Sequence, residues 1–187
     1  AGSTYKTFVL TAMIKAGVSP TTRYFSASPI KVNGVNCADE GVGSGTFKTY
    51  GGRGAGMQTV ASATTKSDNS VYVQMTCDIG PQAVYDTARQ MGIRSMVDNI
   101  DNHNLSLGLG GLNRGVNVLE MARAYAPLAN GGYRVNLMPM AKLVRGSDGR
   151  ANNFEPKRTR IFSDGVAAEV TKILRANVTG GTGTAAN

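Results

Sequence analysis

The chain has 187 residues, 41% of them hydrophobic and 17% charged, which suits one globular domain with its own core and excludes a disordered chain. The net charge of +8 would suit an anionic partner, but the basic residues are scattered, apart from a cluster at 157–160, and they are not interleaved with aromatic residues in the way expected of single-strand binders. We therefore expect no nucleic acid binding. One histidine, two cysteines and no C-x-x-C argue against a zinc site, and we expect neither metal nor cofactor. No apolar run is long enough to span a bilayer, and no stretch has the pattern of a signal peptide; because the chain opens directly on a helix, we expect it to be a piece of something longer.

The first predicted element is a helix that begins near Ser3 and ends at Gly17. Its apolar positions follow the spacing of an amphipathic helix and are Tyr5, Phe8, Val9, Ala12, Met13 and Ala16. Ser3 and Lys6 lie one turn apart, so they share a face of this helix. A desolvated lysine loses its proton near neutral pH and could then activate the neighbouring hydroxyl as a nucleophile. The alternative is that Ser3 simply opens a core helix, and a second S-x-x-K at residues 28–31 shows how readily the pattern arises.

The next 50 residues contain one rejected motif and one candidate partner for Lys6. An extended segment over 24–35, with an Asn33-Gly34 turn, leads into a glycine-rich loop over 36–56. Residues 41–49 miss the phosphate-loop pattern because Phe47 stands where a glycine must precede the lysine, so we reject nucleotide binding. A short helix is predicted over 57–66. Ser67, Asp68 and Asn69 then form a polar turn before another apolar segment, a turn that can be held rigidly between helices.

The second half of the chain alternates helices with loops. We predict a helix from Pro81 to Gly92 and a polar loop over 98–104, in which the lone His103 has a structural or solvent role. A small-residue segment over 105–111 precedes a helix over 116–130, and a hairpin turning at 147–149 precedes a last helix that begins at Ser163–Asp164 and runs to Ala176. Residues 178–187 are predicted to form a loop. The apolar residues predicted to face inward are Leu119, Ala122, Ala126 and Ala129 in the helix over 116–130, and Val166, Val170, Ile173 and Leu174 in the last one.

Together, the motifs and their flanks resemble one known family. An S-x-x-K that opens a helix, followed by S-x-N between helices, is two thirds of the active-site pattern of penicillin-binding proteins and serine β-lactamases. The flanking sequences are more specific: residues 2–8, 67–73, 119–126, 129–132 and 179–186 look like the transpeptidase domain of class A (bifunctional) penicillin-binding proteins. Their order is correct, and the resemblance covers nearly the whole chain.

The resemblance implies an α/β fold of the β-lactamase/transpeptidase type. The third motif, K-[ST]-G on a sheet strand, is absent from the sequence, and residues 181–184 are similar to the segment that precedes it in the family. We therefore expect residues 1–187 to be a partial penicillin-binding transpeptidase domain, dominated by the helical lobe and with an incomplete central antiparallel sheet. The missing strands would come from the rest of the polypeptide or a companion chain. The 187 residues alone would be inactive, with Phe8, Val9 and Met13 lacking their usual packing partner.

The function implied is that of a peptidoglycan D,D-transpeptidase inhibited covalently by β-lactams. Ser3 would attack the penultimate D-Ala of a D-Ala-D-Ala stem peptide, and its backbone N–H would form half of the oxyanion hole. Lys6 would accept the proton of Ser3, Ser67 would relay a proton to the leaving amine, and Asn69 would hold Lys6 and the substrate amide. The parent protein would be membrane-anchored, acting at the outer face of the bacterial cytoplasmic membrane. The alternatives are a non-catalytic penicillin-recognition relative, or a serine β-lactamase or D,D-carboxypeptidase.

The two cysteines, Cys37 and Cys77, leave one question open. They could pair in an oxidising compartment, but sequence spacing alone does not place them within bonding distance. Two free thiols are the slightly favoured expectation.

Overall fold

The computed structural model describes residues 2–32, 46–95 and 105–186. The predictions that concern Asn33-Gly34, Cys37 and His103 lie outside these ranges. A single turn of 3-10 helix, Gly2–Tyr5, continues directly into α1, Lys6–Lys15. The further α-helices are α2 (Val60–Thr65), α3 (Asn69–Ile79), α4 (Pro81–Met91), α5 (Val118–Ala129) and α6 (Asp164–Gly180). Leu105–Leu109 and Thr184–Ala186 are short 3-10 turns.

The strands of the described residues pair in four small antiparallel sheets of two strands each. β1 (Arg23–Ser26) pairs with β4 (Gly56–Thr59), and β2 (Ile30–Lys31) pairs with β3 (Thr46–Phe47). β5 (Tyr133–Val135) pairs with β8 (Arg158–Arg160), and β6 (Lys142–Val144) pairs with β7 (Ala151–Asn153). The last two pairs form the predicted hairpin, which projects from the helices and leaves residues 139–160 exposed.

Helix α1 lies in the centre of the molecule. Every residue from Tyr5 to Met13 is buried, because α3, α4 and α6 all pack against it. The expectation that Phe8, Val9 and Met13 lack a packing partner is therefore wrong: they are at most 1% exposed. The prediction of an amphipathic helix is also incomplete, because the polar side chains of this segment are buried together with the apolar ones.

Helix starts follow the predicted capping residues in two places. Ser163 Oγ accepts a hydrogen bond from the backbone N–H of Val166 and so caps α6, while Pro81 opens α4. Helix α6 continues four residues beyond the predicted Ala176, so the predicted terminal loop is partly helical. Along α6, Val170 and Ile173 are buried as predicted.

Two predicted elements are corrected. Residues 57–59 are not helical, because they belong to β4 and pair with β1; the helix begins only at Val60, where Thr59 Oγ1 accepts from the N–H of Ser62. In α5 the buried residues are Ala124, Pro127 and Leu128, whereas Leu119, Ala122 and Ala129 are exposed. Alanines occur on several sides of this helix, and their small side chains give too weak a hydrophobic pattern to identify the inward face.

Cys77 on α3 is disulfide-bonded, so the prediction of two free thiols is wrong. None of the helices in the described ranges is long and apolar enough to cross a membrane.

Candidate active site

Lys6 lies at the centre of the candidate site, at the first position of α1, and is 4% exposed. Its amine donates hydrogen bonds to three oxygens of the turn between α2 and α3: the Ser67 carbonyl oxygen at 2.6 Å, Ser67 Oγ at 2.9 Å and Asn69 Oδ1 at 2.7 Å. The two motifs, more than 60 residues apart in the chain, are therefore in direct contact. The amine also lies 5.2 Å from the centre of the Tyr72 ring, a cation–π distance.

The pKa of Lys6 is lowered from its ordinary value to about 8, because burial disfavours the ammonium form. The negative charge of Asp68 acts in the opposite direction and raises this pKa. An amine with this pKa is in part neutral at physiological pH, which is the state required of a general base.

The turn that holds Lys6 is fixed by its own hydrogen bonds. Ser67 has a φ of +54°, in the left-handed region, and this conformation directs both its carbonyl and its hydroxyl at the amine. Asp68 caps α3 by accepting from the N–H of Val71, and its other oxygen accepts from Ser26 Oγ on β1 at 2.6 Å. Asn69 donates from Nδ2 to the carbonyl of Lys48 at 3.0 Å, so its Oδ1 is oriented towards Lys6.

Ser3 lies in the 3-10 turn that precedes α1, and it is exposed. It opens onto two cavities. One, of about 330 Å³, is also lined by Lys6, Ser67 and Tyr125. The other, of about 550 Å³, is also lined by Ser67 and Asn69. The structure thus brings together all four predicted site residues around one cleft: Ser3, Lys6, Ser67 and Asn69.

A larger open groove, of about 700 Å³, lies between α5 and α6 and contains none of the four predicted site residues. We assign the site to the cleft at Ser3 because a hydroxyl and an amine of lowered pKa both line it. The chemistry of the lining residues identifies a catalytic site better than the volume of the cavity does.

Two residues that sequence analysis did not assign to the site also line it. Thr182 belongs to the segment 181–184, interpreted from sequence as the one that precedes the missing K-[ST]-G strand, yet it lines both cavities with Ser3. Its position is fixed by Asn177 on α6, whose Nδ2 donates to the Thr65 carbonyl at 2.8 Å and to Thr182 Oγ1 at 2.9 Å. Tyr125 on α5 lines the smaller cavity. Both residues lie in flanks that resemble the family, 119–126 and 179–186, but the resemblance gave them no place in the site, because both reach it through contacts between distant parts of the chain.

Within the ranges that the structure describes, no three histidine, cysteine, aspartate or glutamate side chains cluster closely enough to hold a metal ion.

Comparisons with known proteins agree on one family. The sequence model described as "Penicillin binding protein transpeptidase domain" matches residues 1–187. Penicillin-binding protein 1A of Neisseria cinerea is 32% identical over 149 residues, which are 80% of this chain and 17% of that protein. Penicillin-binding protein 1A of Mycobacterium tuberculosis is 33% identical over 142 residues, 70% of this chain and 16% of that protein. The chain thus spans about a sixth of the length of these relatives.

Solved structures show the same fold. PBPA from Mycobacterium tuberculosis aligns with a TM-score of 0.81 at 23% identity, covering 95% of this chain and 44% of that one. The D,D-transpeptidase domain of a peptidoglycan glycosyltransferase from Eggerthella lenta aligns with a TM-score of 0.79 at 21% identity, covering 100% of this chain and 50% of that one. These alignments confirm the predicted β-lactamase/transpeptidase-like α/β fold.

Proposed function

This chain belongs to the penicillin-binding protein transpeptidase family, and from that premise and the contacts of Lys6 we propose that it carries the serine nucleophile of a D,D-transpeptidase. The substrates would be peptidoglycan stem peptides ending in D-Ala-D-Ala, and β-lactams would bind covalently at the same serine. The parent protein would act at the outer face of the cytoplasmic membrane, anchored in it.

In this proposal Ser3 Oγ attacks the carbonyl carbon of the penultimate D-Ala, and its proton passes to the neutral amine of Lys6. The backbone N–H of Ser3 provides half of the hydrogen bonding to the oxyanion. The tetrahedral intermediate then breaks its C–N bond, and the terminal D-Ala leaves with a proton. Ser67 Oγ, 2.9 Å from the Lys6 amine, is placed to pass that proton on. The amine of a second stem peptide then attacks the acyl-enzyme and forms the new amide as the C–O bond to Ser3 breaks, and the proton that the amine loses passes through Lys6 to Ser3 Oγ.

Asn69 has two functions in this proposal. Its Oδ1 holds the Lys6 amine at 2.7 Å, and its side chain lines the larger cavity, where it is placed to meet the amide of a bound peptide. The sequence contains no K-[ST]-G motif. We therefore also propose that residues 1–187 are one part of the transpeptidase domain and that other residues supply this strand.

The observation that supports the proposal best is the state of Lys6: buried, bonded to both Ser67 and Asn69, and lowered in pKa to about 8. A lysine with a purely structural function does not need such a pKa, whereas a general base does.

The test is to label the full-length protein with a fluorescent penicillin and to map the labelled residue. We expect the label on Ser3 and none in Ser3→Ala. Ser28→Ala is the matched control, because Ser28 begins the other S-x-x-K of the chain and should leave labelling unchanged. Full labelling of Ser3→Ala, or a label mapped to Ser28, would refute the assignment.

A further inference from the structure

The side chain of Ser3 makes no hydrogen bond with any described residue, so its direction depends on the backbone turn that carries it. That turn, Gly2–Tyr5, is only one turn of 3-10 helix, which is too short to be rigid by itself. Contacts from other elements must therefore hold it in place.

The hydroxyl of Tyr125, on α5, makes two short hydrogen bonds to this region. It donates to the backbone carbonyl of Thr4 at 2.6 Å, and it lies 2.6 Å from Thr7 Oγ1. A carbonyl can only accept, so the single phenolic proton goes to Thr4 and the Thr7 hydroxyl donates to Tyr125. Thr4 directly follows Ser3 and Thr7 directly follows Lys6, so one phenol oxygen links the neighbours of both reacting residues.

The Tyr125 side chain is itself well anchored. It is partly buried, and its ring packs edge-to-face on Phe8 at a centroid distance of 6.4 Å. Burial raises the pKa of Tyr125 above its ordinary value, so the phenol keeps its proton at neutral pH and can donate.

Gly110, which follows the 3-10 turn Leu105–Leu109, contacts the beginning of the same turn at Gly2. Gly110 has a φ of +78°, and a Cβ built on it would lie 2.3 Å from the carbonyl oxygen of Gly2. The backbone of residue 110 thus approaches Gly2 as closely as only glycine allows. The turn is held between this segment and α5.

We propose that Tyr125 is a positioning residue of the transpeptidase site, whose hydroxyl holds the turn of Ser3 in register with the Lys6 amine. This inference depends on the proposed function, since it requires Ser3 to be the nucleophile. Reactions of bound groups are sensitive to small displacements, and an error of about 1 Å costs up to roughly a hundredfold in rate. Removing one hydroxyl that fixes the turn should therefore slow acylation more than it weakens binding.

The test is Tyr125→Phe in the full-length protein, with stopped-flow acylation by a fluorescent penicillin over a range of concentrations and pH. We expect the first-order acylation constant to fall about tenfold, as for a loss of about 1.4 kcal/mol in the transition state. The dissociation constant of the initial complex should stay within twofold. The thermal midpoint should fall by only about 2–4 °C, because two hydrogen bonds of one side chain are lost and the fold remains. The pH midpoint set by Lys6 should not move, because the Lys6 contacts remain.

The matched control is Tyr24→Phe, which removes a phenol hydroxyl that donates to Asp78 Oδ2 at 2.8 Å, away from the site. It should leave the acylation constant unchanged. Thr7→Val keeps the Tyr125 bond to Thr4 and should lower the acylation constant less than Tyr125→Phe does.

Three results would overturn the inference: unchanged acylation in Tyr125→Phe, an equal loss in Tyr24→Phe, or a Tyr125→Phe protein that does not fold. Ser3→Ala, measured in parallel, separates the two proposals. Labelling of Ser3→Ala refutes the proposed function itself, whereas an inactive Ser3→Ala with a normal Tyr125→Phe refutes only the positioning role.

Discussion

At the scale of single residues, the site depends on how the protein controls the charge of Lys6. Burial lowers its pKa to about 8, and the charge of Asp68 limits this decrease. Asp68 is 6% exposed and does not contact the amine in any described hydrogen bond, so its effect is electrostatic. Burial and the charge of Asp68 together therefore determine the pH at which the Lys6 amine loses its proton.

Acylation should become faster as pH rises through about 8, because the neutral amine is the active form and accumulates above the pKa of Lys6. Asp68→Asn removes the charge that raises this pKa, so the midpoint of the pH–rate profile should shift to lower pH. The measurement is the acylation constant from pH 5.5 to 10 with a labelled penicillin. Asp78→Asn, which removes a carboxylate that is not among the causes of the Lys6 shift, is the control. An upward shift in Asp68→Asn would contradict the assignment.

A second prediction follows from the backbone conformation of Ser67. At a φ of +54°, a side chain with a Cβ is strained, whereas glycine is not. Ser67→Ala and Ser67→Gly both remove the hydroxyl and should slow acylation alike, but the glycine variant should be more stable by about 1 kcal/mol. Urea denaturation of the two proteins measures the difference. Equal stabilities would mean that the turn does not hold this residue in the left-handed region.

At the scale of elements, the end of α6 is joined to the end of α2. Asn177 donates to the carbonyl of Thr65 and to Thr182 Oγ1, and the N–H of Thr182 donates to the same carbonyl at 3.2 Å. This contact brings the segment after α6 to the cleft that contains Ser3. The segment after α6 therefore lines the candidate site.

Asn177→Ala should release that segment. We expect the free energy of unfolding to fall by roughly 1–2 kcal/mol, because hydrogen bonds to partly buried groups are lost. Acylation should slow as well, since Thr182 no longer keeps its place in the cleft. Asn152→Ala, in the exposed strand β7, is the control and should change neither quantity. A destabilised Asn177→Ala with normal acylation would show that the segment does not shape the site.

At the scale of the whole molecule, the helix that begins with Lys6 is also the centre of the core. The residues from Tyr5 to Met13 are buried by α3, α4 and α6, so the position of the candidate site residues depends on the packing of the entire helical lobe. Distant core substitutions should therefore affect activity through stability.

Phe8→Ala tests this dependence. Phe8 is 0% exposed and packs against Tyr5 and Tyr125, so its truncation should lower the free energy of unfolding by roughly 3–5 kcal/mol. Leu119→Ala, at a position 62% exposed, should change it by no more than about 0.5 kcal/mol. Chemical denaturation measures both, and similar effects in the two variants would contradict the burial described here.

Sequence was sufficient where the signal is local. The S-x-x-K spacing, the cap at Ser163 and the proline at the start of α4 each depend on neighbouring residues, and each element begins close to where it was predicted. The four candidate site residues could also be predicted from sequence, because their motifs match a family pattern. In the structure they lie around one cleft.

Sequence was insufficient where a tertiary contact decides. Residues 57–59 form a strand because β1 is available to pair with them, and the inward face of α5 is selected by packing rather than by its weak alanine pattern. The contacts of Tyr125 with Thr4 and Thr7 span about 120 residues of chain, a separation at which no periodicity or motif carries information.

The three oxygens around the Lys6 amine constrain how it can release a proton. An ammonium group has three hydrogens, one for each of these acceptors, whereas a neutral amine has two hydrogens and a lone pair. Of the three acceptors, only Ser67 Oγ carries a hydrogen of its own that it can donate back. Deprotonation must therefore either break one of the three bonds or reverse the direction of the Lys6–Ser67 bond. Where the bond reverses, the orientation of the Ser67 hydroxyl reports the charge of the lysine; where a bond breaks instead, the lone pair is free to accept the proton of Ser3.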